Sequence, residues 1–391
     1  MNRIKVVDSL RGFSLLGILL ANLLVFNYGM FGNSYPEVYD VSNIGIFLMN
    51  TIRVLFEGST MPIFAFLFGF GMYMMASSFK RKDLGVKLGL IRRGIGLLIF
   101  GTLHAMYLFE GDILFVYGLM TIVLFWLPNR SLKTMIICFL LSSALVVLMH
   151  LDFGSSVEDI DEEFESYTTE LTDDKVEYLL EEKEAYRTLS NAERQSFIFD
   201  SENPFLGGGM VGYIFTYILI ISFYVPVFIS GMIAAKLKMF ETGGTWKKAL
   251  ILLVPIGIIL NIFGLNNETL DYYMFFIDTA LAYGYIALFY YLYKENLFMD
   301  SLAAVGKLSL TNYILQSVFH SFIYYGSGLG RFGDGNFTLS FVIAIIFFIV
   351  QIICSYYYMK KFKYGPLEYI LRIWTYFSFK PHLKRGKNAH I

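Results

Sequence analysis

Ten apolar segments, most of them close to 20 residues long, constrain the fold of this 391-residue chain more than any other feature. A helix of about 20 apolar residues crosses a hydrocarbon core about 30 Å thick, whereas membrane-spanning strands alternate in hydrophobicity over shorter stretches. Charged residues make up 16% of the chain, against about 25% in soluble domains. The sequence therefore predicts an all-α, polytopic integral membrane helix bundle. The ten predicted spans are 10–30, 60–78, 90–108, 112–127, 131–150, 211–235, 248–264, 271–293, 308–325 and 337–359.

The loops between these spans predict the orientation of the bundle, because lysine and arginine accumulate on the cytoplasmic side of a membrane. The basic stretches are 79–93 with six lysine and arginine residues, 128–133 with two, 236–248 with four, and the C-terminal part from Lys360. The alternate loops hold one such residue at most, and they are 31–59, 109–111, 265–270 and 326–336. Ten spans with both termini in the cytoplasm place every basic stretch on the inner side.

Charge also divides the chain into segments. Residues 152–202 hold 17 acidic and 4 basic residues, a net charge of −13 within a chain whose total is −1. This composition predicts an extracytoplasmic insert of one or two solvated helices. The predicted segments are membrane helices 1–5 in 1–150 with an outer interfacial helix at about 44–57, the acidic insert in 151–206, membrane helices 6–10 in 207–360, and a basic cytoplasmic tail in 361–391.

Polar side chains within the spans are candidate site residues, because a charged group at the centre of a membrane helix costs about 2.5–3.5 kcal/mol on insertion scales. Arg11 and Asn22 are eleven residues apart, which leaves them on one face of helix 1 and about 16 Å apart along its axis. Asp8 can pair with Arg11 at i,i+3. Arg93 and His104 repeat the eleven-residue spacing on helix 3.

The short connection after His104 adds two carboxylates, Glu110 and Asp112. A carboxylate beside an imidazole fixes its tautomer and raises its basicity, as a general base requires. Asp278 adds a further acidic side chain in helix 8. The structural alternative for every such residue is an interhelical hydrogen bond that holds the bundle together.

Helix 9 carries a polar stripe across the whole span. Ser309, Asn312, Gln316 and His320 follow the spacing i, i+3, i+7 and i+11, and Lys307 precedes them on the inner side. Aligned stripes on helices 1, 3 and 9 favour a shared hydrophilic cavity or conduit over scattered packing contacts.

Four stretches of the chain carry a family resemblance. They are the start RIKVVDSLRGFSLLGILLAN, the central LHAMYLFEGDILFVYG at 103–118, and the C-terminal GKLSLTNYILQS at 306–317 and FKYGPLEYILRIWTY at 362–376. Together they resemble the YeiB-like family of bacterial membrane proteins. The resemblance runs from about residue 3 to 377 and is weakest in the acidic insert. It implies a multi-pass protein of the bacterial plasma membrane and no specific activity.

A more distant resemblance suggests a chemistry. DSLRG, with a polar residue fourteen positions after the aspartate, is similar to the first helix of transmembrane acyltransferases, which include bacterial O-acyltransferases and the lysosomal glucosaminide N-acetyltransferase. The O-acyltransferases usually have a histidine at the position of Asn22. Asparagine cannot act as a general base, so the resemblance assigns that role elsewhere, and His104 is the best candidate.

The sequence thus leaves three hypotheses open: a transmembrane acyltransferase using acyl-coenzyme A, a transporter or permease for a small polar solute, and a non-catalytic membrane scaffold. The predicted catalytic residues are His104, Asp112, Glu110 and Asn22, with Asn312 as a second amide for the thioester carbonyl. The predicted cofactor-binding residues are Arg11, Arg92, Arg93 and Lys307. The predicted substrate-pathway residues are Asp8, Asp278, Asn312, Gln316 and His320. The expected partner is the lipid bilayer, with the acyl acceptor and any homo-oligomer unspecified, and with no metal and no nucleic acid expected.

Overall fold

The computed structural model describes residues 4–159, 171–201, 203–205, 209–241, 246–265, 267, 270 and 272–379, and only the backbone for 151–159, 199, 209–220 and 246. All regular elements in these ranges are helices. They are α1 Lys5–Tyr28, α2 Asn43–Ile52, α3 Gly58–Arg81, α4 Val86–Tyr107, α5 Leu114–Val123, α6 Leu132–Asp159, α7 Asp173–Thr188, α8 Asn191–Asp200, α9 Gly209–Lys236, α10 Trp246–Ile251, α11 Leu253–Gly264, α12 Met274–Leu292, α13 Leu297–Lys307, α14 Ser309–Tyr324, α15 Phe337–Lys361 and α16 Pro366–Tyr376.

Each of the ten predicted spans coincides with helix. The helices that are both long and apolar enough to cross a membrane are Lys5–Tyr28, Asn43–Arg81, Leu132–His150, Lys247–Gly264, Met274–Leu292 and Phe337–Lys361. Leu114–Val123 is a shorter apolar helix, and so is Ile221–Lys236, which is the part of α9 whose side chains are described. The other two predicted spans, α4 and α14, carry the charged and polar residues discussed above. Large apolar side chains are exposed along α6 and α15, for example Leu141 and Ile346, as expected of a membrane protein.

The predicted interfacial helix at 44–57 is continuous with the second span. α2 leads through a π-helical segment, Arg53–Glu57, directly into α3, so that one helical path runs over 39 residues. Ile44 and Phe47 are exposed on α2, while Met49 and Ile52 are buried. The amphipathic pattern read from the sequence is therefore present, but the chain makes no turn between this segment and the span that follows.

The ninth span is preceded by a helix that the sequence did not predict. α13 ends at Lys307, the backbone breaks at Leu308, and α14 begins at Ser309. α13 packs closely on α1 through two glycines. A Cβ atom at Gly306 would lie 1.9 Å from the Asp8 carbonyl oxygen, and one at Gly12 would lie 2.0 Å from that of Leu302. Small residues at such crossings allow backbones to approach, and they fix the position of Asp8 and Arg11.

Part of the predicted C-terminal tail is an amphipathic helix packed against α4. In α16, Leu371 and Trp374 lie against Gly96, and the Trp374 Nε1 donates a 2.6 Å hydrogen bond to the Arg92 carbonyl oxygen. Glu368 accepts hydrogen bonds from the backbone N–H groups of Leu310 and Thr311 at 2.8 and 3.0 Å. Because α14 starts after a break, its first N–H groups have no intrahelical acceptor, and the Glu368 carboxylate supplies one with the favourable charge for a helix N-terminus.

The described part of the acidic insert is packed, not freely solvated. α7 and α8 both form, in agreement with the prediction of one or two helices. α7 buries Leu179, Glu182 and Tyr186, and Arg194 of α8 is 1% exposed. Residues 160–170, also within the predicted insert, lie outside the described residues.

Candidate functional site

His104 and Asp112 form a buried pair at the C-terminal end of α4. The His104 Nδ1 lies 2.9 Å from the Asp112 Oδ1, and the two side chains are 0% and 2% exposed. The contact has the length of an ion pair, although its angle falls short of a good hydrogen bond. The sequence-based prediction that a carboxylate from the following connection approaches His104 therefore corresponds to Asp112 in the structure.

The local sequence explains why Asp112 reaches this position. Asp112 caps α5, because its Oδ2 accepts a 2.7 Å hydrogen bond from the Phe115 backbone N–H. The cap lies directly on α4 at Gly101, where a Cβ atom would stand 2.5 Å from the Asp112 Oδ2 and 2.4 Å from the Phe115 nitrogen. Glycine at this position thus lets the α5 N-terminus approach α4 and leaves the Asp112 Oδ1 facing His104.

The second imidazole nitrogen of His104, Nε2, is still able to accept a proton. Its Nε2 is buried and makes no hydrogen bond with any residue that the structure describes. Aromatic rings surround it, with the Tyr313 centroid 4.9 Å and the Phe109 centroid 6.2 Å from the imidazole centroid. Because Asp112 occupies the Nδ1 side, the Nε2 is the atom able to take a proton from another molecule. Sequence reasoning missed Tyr313, since one tyrosine among 28 carries no distinguishing signal.

Glu110 is directed away from His104 and towards the insert. Its Oε1 accepts a hydrogen bond from the Tyr186 hydroxyl of α7. Burial raises the pKa of Glu110, while the Tyr186 hydrogen bond and the nearby Arg194 charge oppose that rise. The two carboxylates of one short connection therefore have separate partners.

Asn22, the remaining predicted catalytic residue, is half-buried on α1. Its amide forms no hydrogen bond to another group within the described ranges, and so remains available to a bound molecule.

The predicted cationic residues of the inner side are brought together only in part. Arg11 pairs with Asp8 at 3.3 Å and lies near Arg93. Arg93 is half-buried and forms no hydrogen bond or ion pair with the residues that are described, although Arg372 and Glu368 of α16 are within electrostatic range. An arginine that lies beside two further arginines favours an anionic ligand.

Arg92 and Lys307 take other positions. The Arg92 guanidinium lies 4.6 Å from the centroid of the Phe377 ring, at the end of α16. Lys307 is the last residue of α13, immediately before the break at Leu308, and it is half-buried. Sequence reasoning missed Arg372 because it was assigned to the basic cytoplasmic tail and not to a helix packed on α4.

The polar stripe of α14 is paired with α15. The Asn312 side chain donates to Ser355 at 3.0 Å, and the Gln316 side chain donates to Gln351 at 2.9 Å. Gln351 in turn donates to the Asn312 carbonyl oxygen at 3.0 Å. Gln351 was missed, although an isolated glutamine in an apolar span is a usable signal for such a partner.

His320 completes this stripe near the C-terminal end of α14. It is fully buried, its Nδ1 lies 2.8 Å from the Gln316 carbonyl oxygen, and its Nε2, like that of His104, makes no hydrogen bond with any described residue.

Asp278 lies apart from both groups. Its Oδ1 accepts a 2.9 Å hydrogen bond from Asn261 of α11, which also donates to the Val54 carbonyl oxygen in the π-helical segment. Its carboxylate occupies the space beside Gly58, where a Cβ atom would lie 1.6 Å from the Asp278 Oδ2. No group of three or more histidine, cysteine, aspartate and glutamate side chains that could hold a metal ion is found among the described residues.

Comparison with known proteins shows which family the chain resembles. Residues 234–378 match the family model described as "Protein of unknown function (DUF418)". The uncharacterised proteins YxaH of Bacillus subtilis and YeiB of Escherichia coli are 27% and 24% identical to the chain. The chain is therefore similar to these YeiB-like proteins over almost its whole length. The alignments cover 98% of this chain and 97% and 99% of the two relatives, respectively, so the YeiB-like resemblance includes α4 as well as the C-terminal half. No solved structure matches the chain.

Proposed function

We propose that this protein is a ten-span acyltransferase of the bacterial plasma membrane, with both termini in the cytoplasm. It would transfer an acyl group from cytosolic acyl-coenzyme A to a hydroxyl or amine of an extracytoplasmic or membrane-embedded acceptor. One observation carries the proposal: a single face of α4 holds the buried His104–Asp112 pair near its C-terminal end and, near its N-terminal end, Arg93, which has no hydrogen-bond or ion-pair partner among the described residues. Eleven residues separate the two positions, or about 16 Å along the helix.

The outer pair places a carboxylate oxygen 2.9 Å from the Nδ1 of a buried imidazole, close enough to hold a general base once the angle of the contact improves. The His104 Nε2 would take the proton of the acceptor hydroxyl or amine while the acceptor lone pair attacks the thioester carbonyl carbon. The carbon–sulfur bond then breaks, and the coenzyme A thiolate leaves with the proton that the imidazolium returns. Asp112 would hold the imidazole orientation and stabilise its positive charge.

Asn22 is a better candidate than Asn312 for the amide that donates a hydrogen bond to the thioester carbonyl. Asn22 is half-buried and free of hydrogen bonds to the described residues. The Asn312 amide donates to Ser355 and to the Val305 carbonyl oxygen. A donor that loses no existing bond stabilises a developing oxyanion most effectively.

The inner cluster suits the phosphate groups of coenzyme A. Arginine binds phosphate through two parallel N–H bonds, and Arg93 lies near Arg11 and Arg372.

Binding of acetyl-coenzyme A to the purified protein in detergent tests the function. We expect saturable binding by the wild-type protein and transfer to an added acceptor mixture. If the folded wild-type protein binds no acetyl-coenzyme A, the acyltransferase proposal is wrong.

Cysteine labelling tests the ten-span topology. In a chain without Cys138 and Cys354, a cysteine at the exposed position Glu184 should react with an impermeant reagent added outside intact cells. A cysteine at the exposed position Arg81 should react only after permeabilisation. External labelling of both positions would contradict the proposed orientation.

A transporter is the second candidate, and Asp278 is the observation that favours it. An acidic side chain within the bundle, next to an irregular helix, is typical of proton and solute pathways. Asp278 and Asn261 meet at the π-helical segment Arg53–Glu57. Loss of proton-coupled uptake in an Asp278→Asn variant, together with no acetyl-coenzyme A binding by the wild-type protein, would support this candidate.

A further inference from the structure

The connection Phe109–Ile113 carries two acidic side chains that bind different parts of the molecule. Asp112 faces His104 and caps α5, whereas Glu110 accepts a hydrogen bond from Tyr186. The two residues are separated by Gly111 alone. A displacement of Glu110 must therefore be transmitted to Asp112 or absorbed at this one glycine.

We call α7 and α8 together, Asp173–Thr188 and Asn191–Asp200, the roof. The ring of Tyr186 holds the roof on the bundle, with centroid distances of 4.6 Å to Phe332 and 5.4 Å to Tyr325. The Tyr186 carbonyl oxygen also accepts a 2.8 Å hydrogen bond from the Gly326 N–H. The Tyr186 hydroxyl is thus aimed at Glu110 by contacts that do not involve the hydroxyl itself.

A buried arginine favours the ionised form of Glu110 in this arrangement. The Arg194 guanidinium lies 3.9 Å from the Tyr325 ring centroid and 5.3 Å from the Tyr186 ring centroid, and the side chain is 1% exposed. Its charge acts on Glu110 and opposes the rise in pKa that burial causes. An ionised Glu110 is the stronger acceptor for the Tyr186 hydroxyl.

We propose that Tyr186 is a positioning residue for the His104–Asp112 pair. Its hydroxyl fixes Glu110, Glu110 fixes the Phe109–Ile113 connection, and this connection sets the distance between Asp112 and the His104 Nδ1. Asp112 then holds the proton on Nδ1 and leaves Nε2 as the basic nitrogen. The acidic insert would in this way determine whether the pair is assembled. The kinetic consequence rests on the proposed function, but the effect on the imidazole does not.

The alternative is that Tyr186 acts by packing alone. The two possibilities separate in Tyr186→Phe, which keeps the ring contacts to Phe332 and Tyr325 and removes the hydrogen bond to Glu110. Tyr325→Phe is the matched control, because it removes a hydroxyl from the same aromatic cluster. The Tyr325 hydroxyl has no hydrogen bond to any of the described residues.

The test uses the full-length protein in detergent, labelled with ¹⁵N in the histidine rings. The chain has five histidines, and the His104 signals are assigned by their loss in His104→Gln. The nitrogen chemical shifts report the tautomer. We expect Tyr186→Phe to lower the fraction of His104 protonated on Nδ1 at least twofold, and Tyr325→Phe to leave it unchanged.

Glu110→Gln completes a double-mutant cycle. If the hydroxyl acts through Glu110, the double variant should shift the tautomer no further than either single variant. Unchanged His104 signals in Tyr186→Phe, or an equal change in Tyr325→Phe, would overturn the inference. If acyl transfer is measurable, Tyr186→Phe should lower kcat by on the order of 10²-fold, as a small misplacement can, with KM for acyl-coenzyme A unchanged. A tautomer shift without acetyl-coenzyme A binding by the wild-type protein would refute the enzyme proposal and leave the positioning role intact.

Discussion

α4 and α14 show the same sequence pattern but differ in how their polar residues are bonded. Arg93 and His104 on α4, like Ser309 and His320 on α14, are eleven residues apart on one helix face. In α14 the residues between these ends donate to Gln351 and Ser355 of the neighbouring α15. In α4, Arg93 has no hydrogen-bond or ion-pair partner in the described part of the chain. The Nε2 of both histidines lacks a hydrogen-bond partner there, but the Nδ1 of His104 faces the Asp112 carboxylate, whereas that of His320 faces a backbone carbonyl oxygen.

The difference shows what a polar stripe in a membrane helix can mean. An amide that finds an amide on the next helix stabilises the bundle, typically by about 0.6 kcal/mol and at most about 1.7 kcal/mol in double-mutant cycles. A buried nitrogen without such a partner lowers stability unless another molecule binds it. We call the hydrogen-bonded contact of Asn312 and Gln316 with Gln351 and Ser355 the α14–α15 seam. We therefore expect substitutions in α4 to change activity and substitutions along this seam to change stability.

His104→Gln should give the largest effect. Glutamine keeps a polar side chain but cannot exchange a proton at neutral pH, so kcat should fall by on the order of 10²–10⁴-fold. Acetyl-coenzyme A binding and the unfolding temperature in detergent should change little. His320→Gln is the comparison on α14. There we expect a lower unfolding temperature and little change in turnover per folded molecule. The opposite pattern would transfer the catalytic role to His320.

The second-largest effect should come from Arg93→Ala and should be on acetyl-coenzyme A binding. Loss of one charge-assisted phosphate contact, at about 1.5–3 kcal/mol, would weaken acetyl-coenzyme A binding by on the order of tenfold to a hundredfold. Titration calorimetry on the purified protein measures this. Lys133→Ala, which removes an exposed positive charge from the predicted inner side, should leave the affinity unchanged. Equal binding by Arg93→Ala and the wild-type protein would remove Arg93 from the site.

Gln351→Leu tests the α14–α15 seam. It leaves the Gln316 amide without its 2.9 Å acceptor and the Asn312 carbonyl oxygen without its 3.0 Å donor. The free energy of unfolding should fall by about 1–2 kcal/mol, with turnover per folded molecule retained. Ile349→Leu, at an outward-facing position of the same helix, should stay within about 0.5 kcal/mol of the wild-type value. Lost turnover in a fully folded Gln351→Leu protein would instead place the seam in a substrate path.

The smallest effect should be the pH dependence of the free energy with which the roof docks on the bundle. Burial raises the pKa of Glu182 well above its usual range, and the nearby Glu110 raises it further. Between the ordinary and the raised pKa, the docked roof holds a proton that the undocked roof has lost. Docking therefore weakens as pH rises through that window and is independent of pH above it.

Glu182→Gln should reduce this slope, and Glu110, whose pKa is also raised, should account for what remains. Amide hydrogen exchange in α7, corrected for the intrinsic rate at each pH, measures docking. An unchanged slope in Glu182→Gln would assign the dependence to other groups.

Much of the fold could be predicted because a membrane restricts what a chain can form. Unpaired backbone groups are too costly in hydrocarbon, so apolar segments of sufficient length become helices, and all ten predicted spans are helical. The additional helices α13 and α16 were missed because neither has a long apolar run. α13 is stabilised by its close crossing with α1 at Gly12 and Gly306. α16 is stabilised by packing on α4 and by Glu368 at the start of α14.

For the candidate site, spacing predicted helix faces but did not assign partners. It predicted that a carboxylate would approach His104, and tertiary structure selected Asp112 and directed Glu110 to Tyr186. That selection depends on Gly101, which lets the capped end of α5 lie against α4. No pattern within residues 104–112 distinguishes the two carboxylates.

The sequence by itself determined the helical class, the long apolar segments that become helices and the residues that share a helix face. These properties follow from hydrophobicity and from the fixed 3.6-residue turn, which act along the chain. Tertiary structure decided which polar groups are paired and which are left open, because a hydrogen bond needs a partner from another helix at the right depth and rotation. Gln316 meets Gln351 at 2.9 Å for that reason, whereas the Nε2 of His104 has no hydrogen-bond partner among the described residues.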